Sequence, residues 1–265
     1  MRVNKIRIIV RKEWAEVFKN RLVLFSVAFL PLLLTALPLA ILYGTRSSGD
    51  LGGMSMSDLP EGFRSLCGEM TGGECTQYFF VSQFMILFMI MPLIIPSTIA
   101  SYSIVGEKTT RTLEPLLATP VSTIELLAGK AVAAAVPAVL ATWGAFAVFA
   151  VGARILAIGP MVIARLLDPL WLMAIFIVGP LLATAAVSMA VIVSSRVSDP
   201  RVAEQLSALV ILPLLALFIG QISGLLILDA RLVLWMAVVL AAIDAGLIAL
   251  AIRLFERENI LTRWK

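Results

Sequence analysis

Residues 78–105 read YFFVSQFMILFMIMPLIIPSTIASYSIV and residues 131–152 read AVAAAVPAVLATWGAFAVFAVG, with the polar island GEKTTRTLEPLLATPVSTIELLAGK at 106–130 between them. Neither flanking run carries a formal charge, whereas the island carries Glu107, Lys108, Arg111, Glu114, Glu125 and Lys130. About 20 apolar residues at 1.5 Å each cover the ~30 Å hydrocarbon layer of a bilayer. The two runs are therefore read as membrane spans, and the island as the segment that reaches water between them.

Working outward, further runs of the same kind lie at 22–43, 170–193, 206–228 and 232–252. Each is apolar along its whole length instead of at every second residue, which predicts helices and not barrel strands. The expected fold is an all-α integral membrane protein with six transmembrane helices. A composition of 60% hydrophobic and 14% charged residues agrees, since soluble domains carry about 25% charged residues. Six spans put both termini on one side. Of the 21 Lys and Arg, only Arg46, Arg64, Arg154, Arg165 and Arg231 fall on the other side. The cation-rich side, with the termini and the island, is thus expected to be cytoplasmic. The net charge of +4 then reports orientation and does not point to nucleic acid.

The N-terminal segment, 1–21, places Val3, Ile6, Val10, Trp14, Val17 and Phe18 at three- and four-residue spacing, with Arg7, Arg11, Lys12, Glu16 and Lys19 on the remaining arc. That pattern predicts an amphipathic helix along the membrane surface, with Trp14 as its interfacial anchor. The run at 22–43 is longer than a signal peptide's apolar region and reads as an uncut anchor. No lipidation signature accompanies it. Residues 44–77 are glycine-rich and read as an irregular extracytoplasmic loop. The only cysteines, Cys67 and Cys75, fall there, on the side where disulfides persist, and are read as a disulfide in preference to two free thiols.

In the second span Pro92 and Pro96 predict a kink. In the island, Leu113, Leu116 and Leu117 form one apolar face of a short helix that Pro120 stops, and Ser122 with Glu125 is a capping box that starts the third span. That span is rich in alanine and glycine, which favours close helix contacts. Residues 154–169 read as lying in the outer interface. Asp199-Pro200 restarts a helix after the fourth span. Spans five and six, joined by only Asp229, Ala230 and Arg231, are expected to form a tight antiparallel hairpin. The tail, 253–265, is charged and returns to the cytoplasmic side.

Asp244 is the one charged residue inside any run. A carboxylate at the bilayer centre costs at least about 2.5 kcal/mol, so it is either a functional site or a hydrogen-bonded carboxyl that holds two helices together. Gln83 and Gln221 are weaker candidates for an intramembrane polar site. With no histidine in the chain, Ser-His, Cys-His and His-based zinc mechanisms are excluded, and two cysteines make a poor metal site. No phosphate-binding loop is present, since Gly129-Lys130 is followed by Ala131. The chain is not expected to hydrolyse nucleotide or to act as an enzyme by itself.

The island resembles the hallmark cytoplasmic segment of ABC-2 type transporter permeases. The residues that carry the resemblance are Glu107 and Lys108, Thr112-Leu113-Glu114, Leu116-Leu117, Thr119-Pro120, and Glu125-Leu126-Leu127 with Gly129-Lys130. Weaker similarity lies in the N-terminal helix ending KNR, the exit SSRVSDPR and the closing FERE. The resemblance implies a half-transporter, working as an exporter, that pairs with a second permease copy or homologue and binds separate ABC ATPase subunits. These subunits, and not this chain, would use ATP and Mg. It implies that the segment 107–130 contains a coupling helix at about 107–120, gripped by the ATPase through Glu107, Arg111, Thr112, Leu113, Glu114, Leu116, Leu117, Thr119 and Pro120. It also implies an elbow helix with Arg11, Lys12 and Trp14 that flanks this contact. A re-entrant segment between the last two spans would fit only if span five breaks around Gly220 to Gly224. The alternatives are a nucleotide-independent carrier, which predicts internal repeats that are not evident here, and a carboxylate-based intramembrane protease, which needs a second acidic residue in the membrane.

Overall fold

The computed structural model describes residues 2–19, 21–48, 60, 67, 68, 70–110, 122–226 and 228–254, and every regular element among them is helical. In chain order these are α1 (Arg2–Lys19), α2 (Arg21–Ser48), α3 (Gly72–Phe88), α4 (Met91–Thr109), α5 (Thr123–Leu156), α6 (Pro160–Leu166) and α7 (Pro169–Met173). A π-turn (Ala174–Val178), α8 (Gly179–Ser194), α9 (Pro200–Ser207), a 3-10 turn (Ala208–Ile211), α10 (Leu212–Ile222) and α11 (Ala230–Leu254) complete the chain. Six stretches are long and apolar enough to cross a membrane: Val23–Ser47, Gly72–Thr109, Thr123–Leu156, Pro160–Ser194, Pro200–Ile222 and Ala230–Leu254.

Most of the helices outrun the apolar runs that announce them, the fifth span excepted at its C-terminal end, where it stops at Ile222. Thr71 accepts from the backbone of Glu74 and starts α3 inside what reads as loop, while α2 continues to Ser48. The irregular loop expected at 44–77 is shortened accordingly. The stretch 154–169 holds the end of α5, then α6, which packs along α3, then the start of α7 at Asp168. The second span breaks at Met89 and Ile90, and α4 restarts at Met91 with Pro92 in its first turn, where a missing N–H costs nothing.

The second and fourth spans form the centre, and the first, fifth and sixth lie outside them. α4 packs on both α8 and α5, α2 on α5, and α11 on α8. Phe88 stacks on Phe149 with ring centroids 5.4 Å apart, among Met85, Ile95 and Ala145. The small residues of α5 allow these approaches: a Cβ at Gly152 would sit 2.5 Å from a methyl of Leu39.

Two tryptophans repair backbone carbonyls that prolines leave unpaired. Pro137 has no N–H for the carbonyl of Ala133, four residues earlier in α5. Trp14 of α1 donates its indole N–H to that oxygen at 3.0 Å. In the π-turn each carbonyl looks five residues ahead, as the Gly179 amide bonded to Ala174 shows. Ile175 therefore looks to Pro180, which has no N–H, and Trp143 donates to its oxygen at 3.2 Å instead. Inside a bilayer no water would replace either bond. Trp14 is thus only partly buried and is held in a specific contact with α5.

Spans five and six do not form the expected tight hairpin. α10 ends at Ile222, Gly224 turns the chain in the left-handed region (φ 72°), and the Leu226 amide returns to the Gly220 carbonyl at 3.0 Å. Leu226 lies over Gly220, where a Cβ would meet it at 2.6 Å. α11 then starts at Ala230 and lays its length on α8, and α10 packs on α3. The break at Gly220 to Gly224 supplies a turn, and no further helix lies between α10 and α11 among the described residues.

Candidate functional site

The island is held at both ends. α4 brings Glu107 and Lys108 to its last turn. Across the island, Ser122 caps α5 by accepting from the Glu125 amide at 3.2 Å, and the Glu125 carboxylate accepts from the Ser122 amide at 2.9 Å. Lys130 follows two turns into α5.

α1 lies across these two ends and closes a buried ionic cluster. Ile6, Ile9, Val10, Glu13 and Val17 share one face of α1 by their three- and four-residue spacing. That face turns to α5, so Glu13 is carried inward and is only 2% exposed. The Lys130 ammonium, 4% exposed, is 2.8 Å from both Glu13 and Glu107, the latter 6% exposed. Ser103 donates to Glu13 and accepts from Lys130 at 2.7 Å, and Lys12 donates to Glu107. Two ammonium groups face two carboxylates, and the hydroxyl fills the remaining gap. Buried ions lose several kcal/mol of hydration each, and only such mutual pairing recovers it. Burial by itself would lower the pKa of Lys12, but its hydrogen bond to Glu107 and the charges of Glu107, Glu13 and Glu16 outweigh that and hold it above the ordinary lysine value.

The approach of α1 depends on Gly129. A Cβ there would stand 2.7 Å from Ile9 Cγ2, inside any tolerable contact. The pair Gly129-Lys130 thus has one residue that admits the elbow helix and one that fastens it. Lys5 adds a looser pairing to Glu125 at 3.6 Å. On the opposite flank Lys108 donates to the backbone carbonyl of Val197 at 3.2 Å, and Thr98 donates to Glu204 on α9. The end of α4 therefore meets the elbow, the start of α5 and the connection between α8 and α9. A cavity of about 520 Å3 beside the cluster is lined by Lys12, Glu16, Tyr102, Glu107 and Thr110 and lies next to where the described part of α4 ends.

Of the residues expected to grip a partner, Glu107 lies in this cluster, while Arg111, Thr112, Leu113, Glu114, Leu116, Leu117, Thr119 and Pro120 lie outside the described residues, as does the tail beyond 254. Of the elbow residues, Lys12 and Trp14 are engaged and Arg11 is exposed. Glu13 and Ser103 are the members that sequence reasoning missed. A signal for Glu13 existed, in that it is an acid on the apolar face of an amphipathic helix, where a charge demands a partner.

The intramembrane candidates stand apart from this cluster. Asp244 on α11 is 4% exposed, and neither carboxylate oxygen has a hydrogen-bond partner among the described residues. Gln83 and Gln221 are buried as well. At the opposite end of the bundle Cys67 and Cys75 are bonded with Cα atoms 5.4 Å apart, packed by Phe79. Gln77 joins four segments there: its Nε2 donates to Thr45 Oγ1 and to the Leu42 and Leu156 carbonyls, and its Oε1 accepts from the Ile158 amide. No group of three or more Cys, Asp or Glu placed to hold a metal ion occurs among the described residues.

Six helices long and apolar enough to cross a membrane, with a charged connection braced by an amphipathic helix, define a multi-pass membrane protein. The family model for ABC-2 family transporter proteins matches residues 7–232, and the chain belongs to that family. Comparison with the curated proteins finds no match. Members of this family are in general the non-catalytic membrane component of an ABC transporter and work with ABC ATPase subunits.

Proposed function

We propose that this chain is one of two permease halves of an exporter in the cytoplasmic membrane, with both termini inside, driven by separate ATPase subunits that bind ATP and Mg. The observation that carries the proposal is the cluster of Glu13, Lys130 and Glu107, which joins the elbow helix to both ends of the island 111–121. The cluster ties the residues on either side of 111–121 to one another, so in this reading a pull on the island reaches α1, α4 and α5 together. In this reading the ATPase seats on the island through Arg111 to Pro120, and ATP-driven closure pulls on it. The cluster passes the displacement to the spans, and the pathway between the two halves opens outward. Such coupling requires the ATPase to contact the two states of the permease unequally, and the fastened flanks of the connection favour it. The excess of Lys and Arg at the island end supports the orientation.

Co-purification of the full chain with the ATPase encoded nearest to it, using wild type and the Glu114→Arg plus Leu117→Asp variant, tests the docking surface. Wild type is expected to hold the ATPase through size-exclusion chromatography, and the variant is expected to lose it while remaining monodisperse. Equal retention of the ATPase by both would remove the island from the contact.

A further inference from the structure

Because α10 turns away at Gly224 while α11 lies on α8, these three helices leave a cavity of about 570 Å3 between them. That is within the ~300–1,000 Å3 occupied by small-molecule sites. Its walls are apolar, among them Trp171, Val178, Leu182, Leu214, Leu217 and Met236. Its rim includes Trp235, Val239 and Ile243, which are half exposed or more, so it opens sideways on an exposed apolar face of α11.

Of the polar groups around this cavity, Trp171 is in the wall itself, and Gln83 and Gln221 stand one helical turn from wall residues. Trp171 lines it, is 1% exposed, and its Nε1 has no hydrogen-bond partner among the described residues. Ile86 also lines it, and Gln83 stands one turn before Ile86 on α3. Leu217 lines it, and Gln221 stands one turn after Leu217 on α10. Spacings of three and four residues put each glutamine on the same face as its lining neighbour, and α3 packs against α10. Both amide atoms of Gln83 and the Oε1 of Gln221 have no partner among the described residues, although both residues are buried. Gln77, two turns earlier on α3, makes full use of its amide. A buried donor or acceptor left unmade costs about 1–3 kcal/mol.

We propose that this cavity binds a neutral amphiphile, its aliphatic tail against Leu182, Leu214 and Leu217 and its uncharged head, of the hydroxyl or amide class, against Gln83, Gln221 and Trp171. The head must both donate and accept, because Trp171 offers a donor, Gln221 an acceptor and Gln83 one of each. The cavity wall itself carries no cation among the described residues, and Arg165, over the Trp171 ring at 5.6 Å, is committed to Asp168 at 3.1 Å and to Ser82 at 3.1 Å. A plain hydrocarbon fills the volume but leaves the three polar residues unmatched. That the amphiphile is cargo rests on the permease reading; that it binds does not.

The test is a binding measurement without any ATPase, so its failure is separate from failure of the permease reading. The full chain, exchanged from detergent into an anionic amphipol that carries no hydroxyl head, is equilibrated with tritiated mono-oleoylglycerol or tritiated methyl oleate, which share a tail and differ in the hydroxyl head. Wild type is expected to retain mono-oleoylglycerol about tenfold better, the ratio that 1.4 kcal/mol produces. Gln83→Leu plus Gln221→Leu is expected to bring the ratio close to one. Leu217→Trp, which fills the cavity and leaves the glutamines in place, is expected to lower retention of both ligands and serves if the double variant does not fold. Equal retention of the two ligands by wild type, an unchanged ratio in the double variant, or Leu217→Trp binding like wild type would each overturn the proposal.

Discussion

Lys130 and Glu13 are 117 residues apart in sequence and 2.8 Å apart in space, both almost wholly buried. Their contact, with that of Lys12 and Glu107, fastens the elbow helix to the residues that flank 111–121. Lys130→Met leaves Glu13 and Glu107 buried with half their compensation, and a buried pair broken on one side costs about 3–5 kcal/mol. The Glu13→Gln plus Lys130→Met double variant keeps the volume and removes one charge of each sign, so it is expected to recover a large part of that loss. Thermal unfolding in detergent of the four members of the cycle checks this. Additive losses would mean that the two side chains do not interact.

The Trp14 bond to the Ala133 carbonyl makes an unusual rescue possible. Trp14→Phe is expected to destabilise the chain by about 1–3 kcal/mol, because the carbonyl freed by Pro137 is then left unmade. Pro137→Ala supplies a backbone N–H four residues on and is expected to return the polar part of the loss. A Trp14→Phe plus Pro137→Ala variant no more stable than Trp14→Phe alone would show that the indole acts only through its bulk.

Gly129→Ala places a methyl 2.7 Å from Ile9 Cγ2. Overpacking of this kind costs about 1–3 kcal/mol, and the relief is to push α1 off α5. Limited trypsin digestion is the direct readout, with faster cleavage expected at Arg7 and Arg11. Ile9→Ala in the Gly129→Ala background is expected to slow it again. Cleavage at the wild-type rate in Gly129→Ala would place the elbow elsewhere.

Asp244 has the opposite signature, a buried carboxylate with neither oxygen hydrogen-bonded among the described residues. Asp244→Leu removes a group whose insertion costs about 2.5–3.5 kcal/mol, so the variant is expected to unfold at higher temperature than wild type. A lower unfolding temperature would mean that the carboxyl holds two helices together.

The spans were legible because membrane length and uniform apolarity leave a helix no rival, and the capping box of Ser122 and Glu125 was legible because it is local in sequence. The N-cap at Asp199 was equally local, and its side chain accepts from the Arg201 amide at 2.7 Å. The cluster was only half legible. Glu107 and Lys130 belong to a recognisable island, but Glu13 is identified only when its helical face is compared with its charge. The pairing of spans five and six was misread because a short polar connection suggests a hairpin, while the left-handed turn at Gly224 and the closeness of Leu226 to Gly220 depend on backbone geometry that hydropathy does not report. The indole repairs at Ala133 and Ile175 join residues far apart in the chain, and no spacing rule points to them.

The most direct test of coupling through the island is ATP turnover by the complex of this chain and its ATPase in lipid nanodiscs, wild type against Glu114→Arg plus Leu117→Asp. The account predicts lipid-dependent turnover by the wild-type complex and a fall in the variant to the rate of the ATPase alone. Turnover of the variant at the wild-type rate, with the same dependence on lipid, would contradict it.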